Sequence, residues 1–250
     1  MRWVVTSRET RRGPLRSRLW LFTAAGCGLS ALVGRTPISR LAALVLMLPF
    51  AVSQAGCGRV LLDERFHDKR QSAWLAVDDP DVLEGPSRWE VEADGRLHQH
   101  SNVWGRRGDF LGRWYGTYLV AGDPTWDDYD LWVKATPGDD DGFGVVFRFT
   151  DAGHFYRLIL LEDGFSGGPI TRLDKRDGAD YTELWSAPRG YKKGVETVIH
   201  VRVTEDRISG DVDGRPLFEV RDRSYRRGKV GLFCYAQRDQ AFDDVKVRGN

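Results

Sequence analysis

Beyond residue 60, apolar and polar residues alternate with a period of two through most of the chain. This is the pattern of strands whose two faces meet different surroundings. Over 129–136, Tyr129, Leu131 and Val133 fall on one side, and Asp130, Trp132 and Lys134 on the other. The alternation is clearest over 139–163, which reads as an acidic turn, a strand, a tight turn and a return strand. With Ala152 and Gly153 as the turn residues, Arg148 falls opposite Arg157 and Phe147 opposite Leu158. That register gathers Phe147, Phe149, Tyr156, Leu158 and Leu160 on one face and both arginines on the other. A slip of one residue would mix the two sets, so burial selects this pairing.

Further strands are expected at 60–66, 89–93, 96–100, 117–121, 170–175, 181–187, 195–204, 208–212, 217–220, 229–235 and 241–248. Asp94-Gly95 and Asp213-Gly214 sit where two-residue hairpin turns belong. The segment 102–116, rich in Gly, Arg and Trp, and the glycine-rich 163–169 read as loops at the rim. No helical periodicity occurs after residue 57. Many short strands joined by Gly/Asp turns predict an all-β, antiparallel two-sheet sandwich over 58–250.

The first 57 residues differ in kind. Residues 1–40 carry eight arginines and one acid, Glu9, and no charge falls between Leu41 and Gly58. Taking those nine residues from the totals of 37 basic and 36 acidic leaves 29 and 35, so the overall +1 conceals a body near −6. An acidic body argues against a nucleic-acid partner, which wants a basic stripe. The apolar runs at 19–33 and 41–52 are short for a membrane span, which needs about 20 residues. Arg35 and Arg40, the apolar run 41–52 and the small residues after it have the layout of a secretory signal. Two processing routes fit: cleavage after Ala55, or a lipobox at Ala55-Gly56-Cys57 with Cys57 acylated. A retained membrane anchor is the third reading. The protein is therefore expected to be exported, to the cell envelope or beyond, touching membrane only through leader or lipid. Cys234 is the sole cysteine of the body and lies in an apolar strand, so a buried thiol is expected there.

Several residues are candidates for chemistry. Arg148 and Arg157, sharing a face that Trp132 could join, offer fixed donors beside an aromatic surface, a combination suited to sugar rings and their hydroxyls or anionic groups. Trp104 and Trp114, in the loop that also carries Arg106, Arg107 and Tyr115, could wall such a site. The competing reading is that the arginines pair with nearby acids as structural ion pairs. The five histidines show no metal-ligand spacing, and no phosphate-binding glycine loop is present.

The strings at 89–97, 144–149, 154–157, 212–218, 231–234 and 241–247 resemble the concanavalin A-like lectin/glucanase jelly rolls, and within them bacterial laminin-G-like and thrombospondin-C-terminal-like modules. The resemblance spans about residues 60–250 and implies a fold, not one function. It also implies a structural calcium joining the first strand to the last, with Glu64 and Asp243 as the matching carboxylates; hard oxygen donors suit that ion. The Glu-x-Asp-x-x-Glu string of the glucanases is absent, so no catalytic residues are assigned. The expectation is a non-catalytic module binding carbohydrate or a glycan-bearing surface. The alternatives are a sugar-processing hydrolase resembling the keto-disaccharide hydrolases, and a structural adhesion module.

Overall fold

The computed structural model describes residues 58–67, 73–80, 82–105 and 112–250. The expected leader and its Cys57 lie outside the described residues. The described strands are, in chain order, β1 (Val60–Glu64), β2 (Leu75–Asp78), β3 (Val82–Leu83), β4 (Trp89–Val91), β5 (Leu97–Gln99) and β6 (Trp104–Gly105). There follow β7 (Thr117–Ala121), β8 (Tyr129–Thr136), β9 (Gly142–Asp151), β10 (His154–Leu161), β11 (Ile170–Asp177) and β12 (Asp180–Ala187). The last five are β13 (Thr197–Thr204), β14 (Arg207–Val212), β15 (Arg215–Arg221), β16 (Lys229–Tyr235) and β17 (Gln240–Gly249).

They form two large antiparallel sheets. One runs β15-β14-β13-β8-β17-β5-β4 with β1 also paired to β17, and the other β12-β11-β10-β9-β16-β7-β2. We call these the first and second sheets. The alternation seen in the sequence is realised: Leu131, Val133, Ile199, Val201 and Val203 of the first sheet meet Val145, Phe147, Tyr156, Leu158, Leu160 and Leu232 of the second in one core. Both predicted hairpins form. Val91 pairs with Leu97 around a turn containing Gly95 (φ +78°), and Val212 pairs with Arg215 across Asp213 (φ 53°) and Gly214 (φ 71°). In the second turn, positive φ at both central residues matches the right-handed twist of the strands it joins; the first is a longer loop in which Gly95 alone takes a positive φ. Cys234 is buried in the main core, and burial pushes its thiol pKa well up, which leaves it inert.

The central hairpin departs from the expected register. Near its turn, His154 pairs with Asp151 as expected, but Tyr156 then pairs with Phe147 and Arg157 with Val146. The cause is a bulge at Arg148, whose φ of 47° breaks the pleat. Its N–H leaves the ladder and donates to the Tyr129 hydroxyl at 2.9 Å. Gly228 packs its backbone so close to Arg148 that any Cβ there would collide. Beyond the bulge the phase changes. Phe149, expected in the core with Phe147, instead joins a second apolar cluster on the outer face of the second sheet, with Tyr118, Phe155, Ile159 and Phe233.

Candidate functional site

The bulge also separates the two arginines on which the expected ligand face rested. Arg148 is fully buried at one end of the sandwich. Its Nε and Nη2 donate to the carbonyl of Asp127 (3.3 and 3.1 Å), and Nη1 donates to that of Tyr225 (3.1 Å). Arg157, also fully buried, points outward from the second sheet. Trp132 belongs to β8 in the first sheet, so it joins neither. There it stacks on His200 of the neighbouring strand, with 4.6 Å between ring centroids and 3° between planes. The face expected to unite Trp132, Arg148 and Arg157 is therefore not formed, because one bulge and one sheet assignment part them.

What the sequence reading missed is a second row of arginines. Arg172, Asp174 and Arg176 alternate along β11 and project from the outer face of the second sheet beside Arg157 of β10. Asp174 is fully buried and accepts from Arg157 Nη2 at 2.7 Å, while Arg172 Nε lies 2.7 Å from its other oxygen. Arg176 pairs with Asp79, which also accepts from the Tyr118 hydroxyl and the Gly116 N–H. Some of the other donors are met by the chain that crosses above. Arg157 donates to the carbonyls of Trp114 (2.9 Å) and Arg113 (3.1 Å), and Arg172 to that of Gly112. The guanidinium of Arg157 lies 4.1 Å over the Tyr181 ring and that of Arg172 3.8 Å over the Trp114 ring. Burial and the neighbouring Asp79 push the Tyr118 hydroxyl pKa well up, and Tyr181 is pushed up to about 12, chiefly by burial, so both phenols stay neutral.

This polar layer fixes Trp114 and thereby shapes a groove. Trp114 holds a positive φ of 44°, a strained conformation for a bulky residue that persists only where its surroundings over-determine it. Here its carbonyl is held by Arg157, its ring lies against Arg172, and its indole N–H donates to the Ser166 carbonyl at 2.9 Å. The loop carrying Ser166 is itself braced by Asp163, whose carboxylate accepts from the N–H groups of Phe165 and Ser166, each at 2.9 Å. Between this loop and the outer face of the second sheet lies a groove of about 470 Å³, lined by Trp104, Trp114, Phe165, Ile170, Arg172 and Tyr235 together with Gly112, Ser166 and Gly167. Phe165 is 92% exposed at its mouth. The two tryptophans expected to wall a ligand site thus do line one groove, with Arg172 where Arg157 was expected. The period-two string Arg172-x-Asp174-x-Arg176 was the sequence signal available; the exposure of Phe165 had none.

The carboxylates expected to hold calcium are both engaged locally. Glu64 accepts from the Phe66 N–H and Asp243 from the Asp244 N–H, each at 2.8 Å. In the β1–β17 ladder Glu64 pairs with Val245. Among the described residues, three ligand-type groups converge only at Glu92, Asp94 and His98 and at Asp139, Asp140 and Asp141. The first group is already paired internally, with His98 3.0 Å from Asp94 and Arg96 2.7 Å from Asp94.

Two antiparallel sheets in this order, enclosing one core, decide the architecture. The fold is a concanavalin A-like jelly roll. No family model matches the chain. Among solved structures it is similar to the carbohydrate-binding module CBM66 from Bacillus subtilis, with a TM-score of 0.55 and 13% identity over 71% of this chain and 96% of that one. It is also similar to a xylan β-1,4-xylosidase from Bacillus halodurans C-125, with a TM-score of 0.52 and 13% identity over 74% of this chain but 38% of that one. An extracellular exo-α-L-arabinofuranosidase from Streptomyces chartreusis is 41% identical over a match 69 positions long that covers 24% of this chain. The chain spans only 8% of the length of that curated relative.

Proposed function

We propose that this domain is a non-catalytic carbohydrate-binding module and that saccharide docks in the groove between Trp104, Trp114 and Phe165. The observation that carries this reading is the lining itself: four aromatic side chains and one guanidinium around a groove of about 470 Å³. Flat aromatic surfaces pack against sugar rings, and a fixed guanidinium orients them through hydrogen bonds. Glycoside hydrolysis needs two carboxyl groups, about 5–5.5 Å apart for retention and about 6.5–9.5 Å for inversion. No carboxylate lines this groove among the described residues. One solved structure that this chain covers almost end to end is a binding module, whereas the chain covers only parts of the two glycosidases. That favours an accessory module over a complete enzyme. The basic, apolar leader supports an exported protein, in keeping with the matched arabinofuranosidase, which is named as extracellular.

A glycan-array screen that includes arabino- and xylo-oligosaccharides tests the reading. Phe165→Ala and Trp104→Ala should each weaken the captured glycan by about 1.5–3 kcal/mol, the burial contribution of one large apolar side chain. For Phe165→Ala, Tm should hold, because the ring is solvent-exposed. Capture of no saccharide, or full retention of affinity in both variants, would remove the basis for the assignment.

A further inference from the structure

Resting on that docking site, we infer that the saccharide is anionic: a sugar acid whose ring packs on the aromatic walls and whose carboxylate meets Arg172. Three guanidinium groups lie in the layer beneath the groove (Arg157, Arg172 and Arg176), against two carboxylates (Asp79 and Asp174), and all five are buried. The two phenols among them are neutral, so the layer holds one positive charge in excess. A buried charge without a counter-charge is costly, and an incoming anion relieves that cost.

Arg172 is the member that reaches the groove, at 9% exposed. Its Nη2 donates to the Gly112 carbonyl and to Asp174 (3.1 Å), and its Nε lies 2.7 Å from Asp174 without a hydrogen bond, while its Nη1 has no acceptor among the described residues. Of the nearby charges, the Asp163 carboxylate is engaged by the Phe165 and Ser166 N–H groups of its own loop. Arg113 and Asp180 neutralise each other at 2.8 Å. Glu183, paired across the ladder with Asp174, is exposed, and its carboxylate accepts from the Ser186 hydroxyl at 2.6 Å. Water screens such a charge more than the buried ones.

The test is calorimetric titration of the protein with short oligomers of galacturonic, glucuronic and mannuronic acid, each against its fully methyl-esterified form. The ester keeps the ring and removes the charge. At least one acid should bind about tenfold or more tightly than its ester, the size of one charge-assisted hydrogen bond, and added salt should shrink the difference. Arg172→Gln should abolish the acid's advantage over its ester, bringing the two affinities together. Should that variant not fold, the acid-to-ester ratio and its salt dependence in the unaltered protein decide alone. Equal affinity for acid and ester, or tighter binding of neutral arabino- or xylo-oligosaccharides, overturns the inference and leaves the docking site standing. Binding of sulfated oligosaccharides without binding of any sugar acid overturns the carboxylate assignment. If no saccharide binds, charged or neutral, both the inference and the docking site fall.

Discussion

Asp174→Ala is the substitution whose effect follows most directly from the geometry. The carboxylate is fully buried and lies 2.7 Å from both Arg157 Nη2 and Arg172 Nε. The intact pair is not thereby a large source of stability, because desolvating three ions offsets most of their attraction. Removing the acid alone is different. Two guanidinium groups would remain side by side, in a layer where Asp79 is already committed to Arg176. Orphaning a buried charge in this way costs about 3–5 kcal/mol. For a domain of this size, each kcal/mol lowers Tm by about 2–4 °C, so a fall of about 6–20 °C is expected. Urea unfolding followed by tryptophan fluorescence gives the free energy, and a thermal scan gives Tm. Asp174→Asn, which keeps the shape and one acceptor, should cost less. Arg157→Met combined with Asp174→Leu should recover part of the loss, since the charge left over is then one fewer. If Asp174→Ala lies within about 1 kcal/mol of the unaltered protein, the arginine layer is not desolvated and the reasoning about its charge fails.

Two further predictions concern pH. Burial draws the His200 pKa down, but hydrogen bonds with Asp130 (2.7 Å) and Asp211 (2.6 Å) raise it above its ordinary value overall. Its stabilisation is therefore fully present below about pH 6.5 and is lost as pH rises through the raised folded value, so His200→Asn should flatten stability-versus-pH on that limb. Asp141 behaves differently: burial, then the charges of Asp139, Asp163 and Asp140, raise its carboxyl to about 7. The folded protein retains a proton that the unfolded chain releases from about pH 4 upward, so stability falls between about pH 4 and 7; Asp141→Asn should raise Tm at about pH 8 and change it little at about pH 4. Chemical denaturation across the pH range separates the two, because a flat His200→Asn difference or an unchanged Asp141→Asn Tm at high pH would contradict the respective assignment.

The sheets were legible because alternation and Asp-Gly turns are local signals. Thr117–Ala121, Tyr129–Thr136 and Lys229–Tyr235 carry the bounds expected from the sequence. The short strands Leu75–Asp78, Val82–Leu83 and Trp104–Gly105 were not legible, since two to four residues give no period. The bulge at Arg148 escaped for another reason. A non-glycine residue takes a positive φ there because Tyr129 accepts its N–H and Gly228 admits its backbone, and both partners are remote in sequence. For the same reason the arginine layer was only half visible. The spacing of Arg172, Asp174 and Arg176 stands in the sequence, but Asp79 meets Arg176 from 97 residues away. Trp104 and Trp114 come together in one groove because aromatic residues in a glycine-rich loop have few apolar neighbours in sequence to bury them. Trp132 was misplaced because alternation tells which way a side chain points from its sheet, but not which sheet it is in.

The central claim is that saccharide sits against Trp104 and Trp114, on the second sheet, and away from Trp132 on the first. The indole N–H resonances of these three tryptophans, followed by NMR while a captured oligosaccharide is titrated in, test that placement directly. The prediction is that the Trp104 and Trp114 signals shift with saccharide concentration while the Trp132 signal, fixed against His200, does not move. A saturable shift at Trp132 with Trp104 and Trp114 unmoved would contradict it.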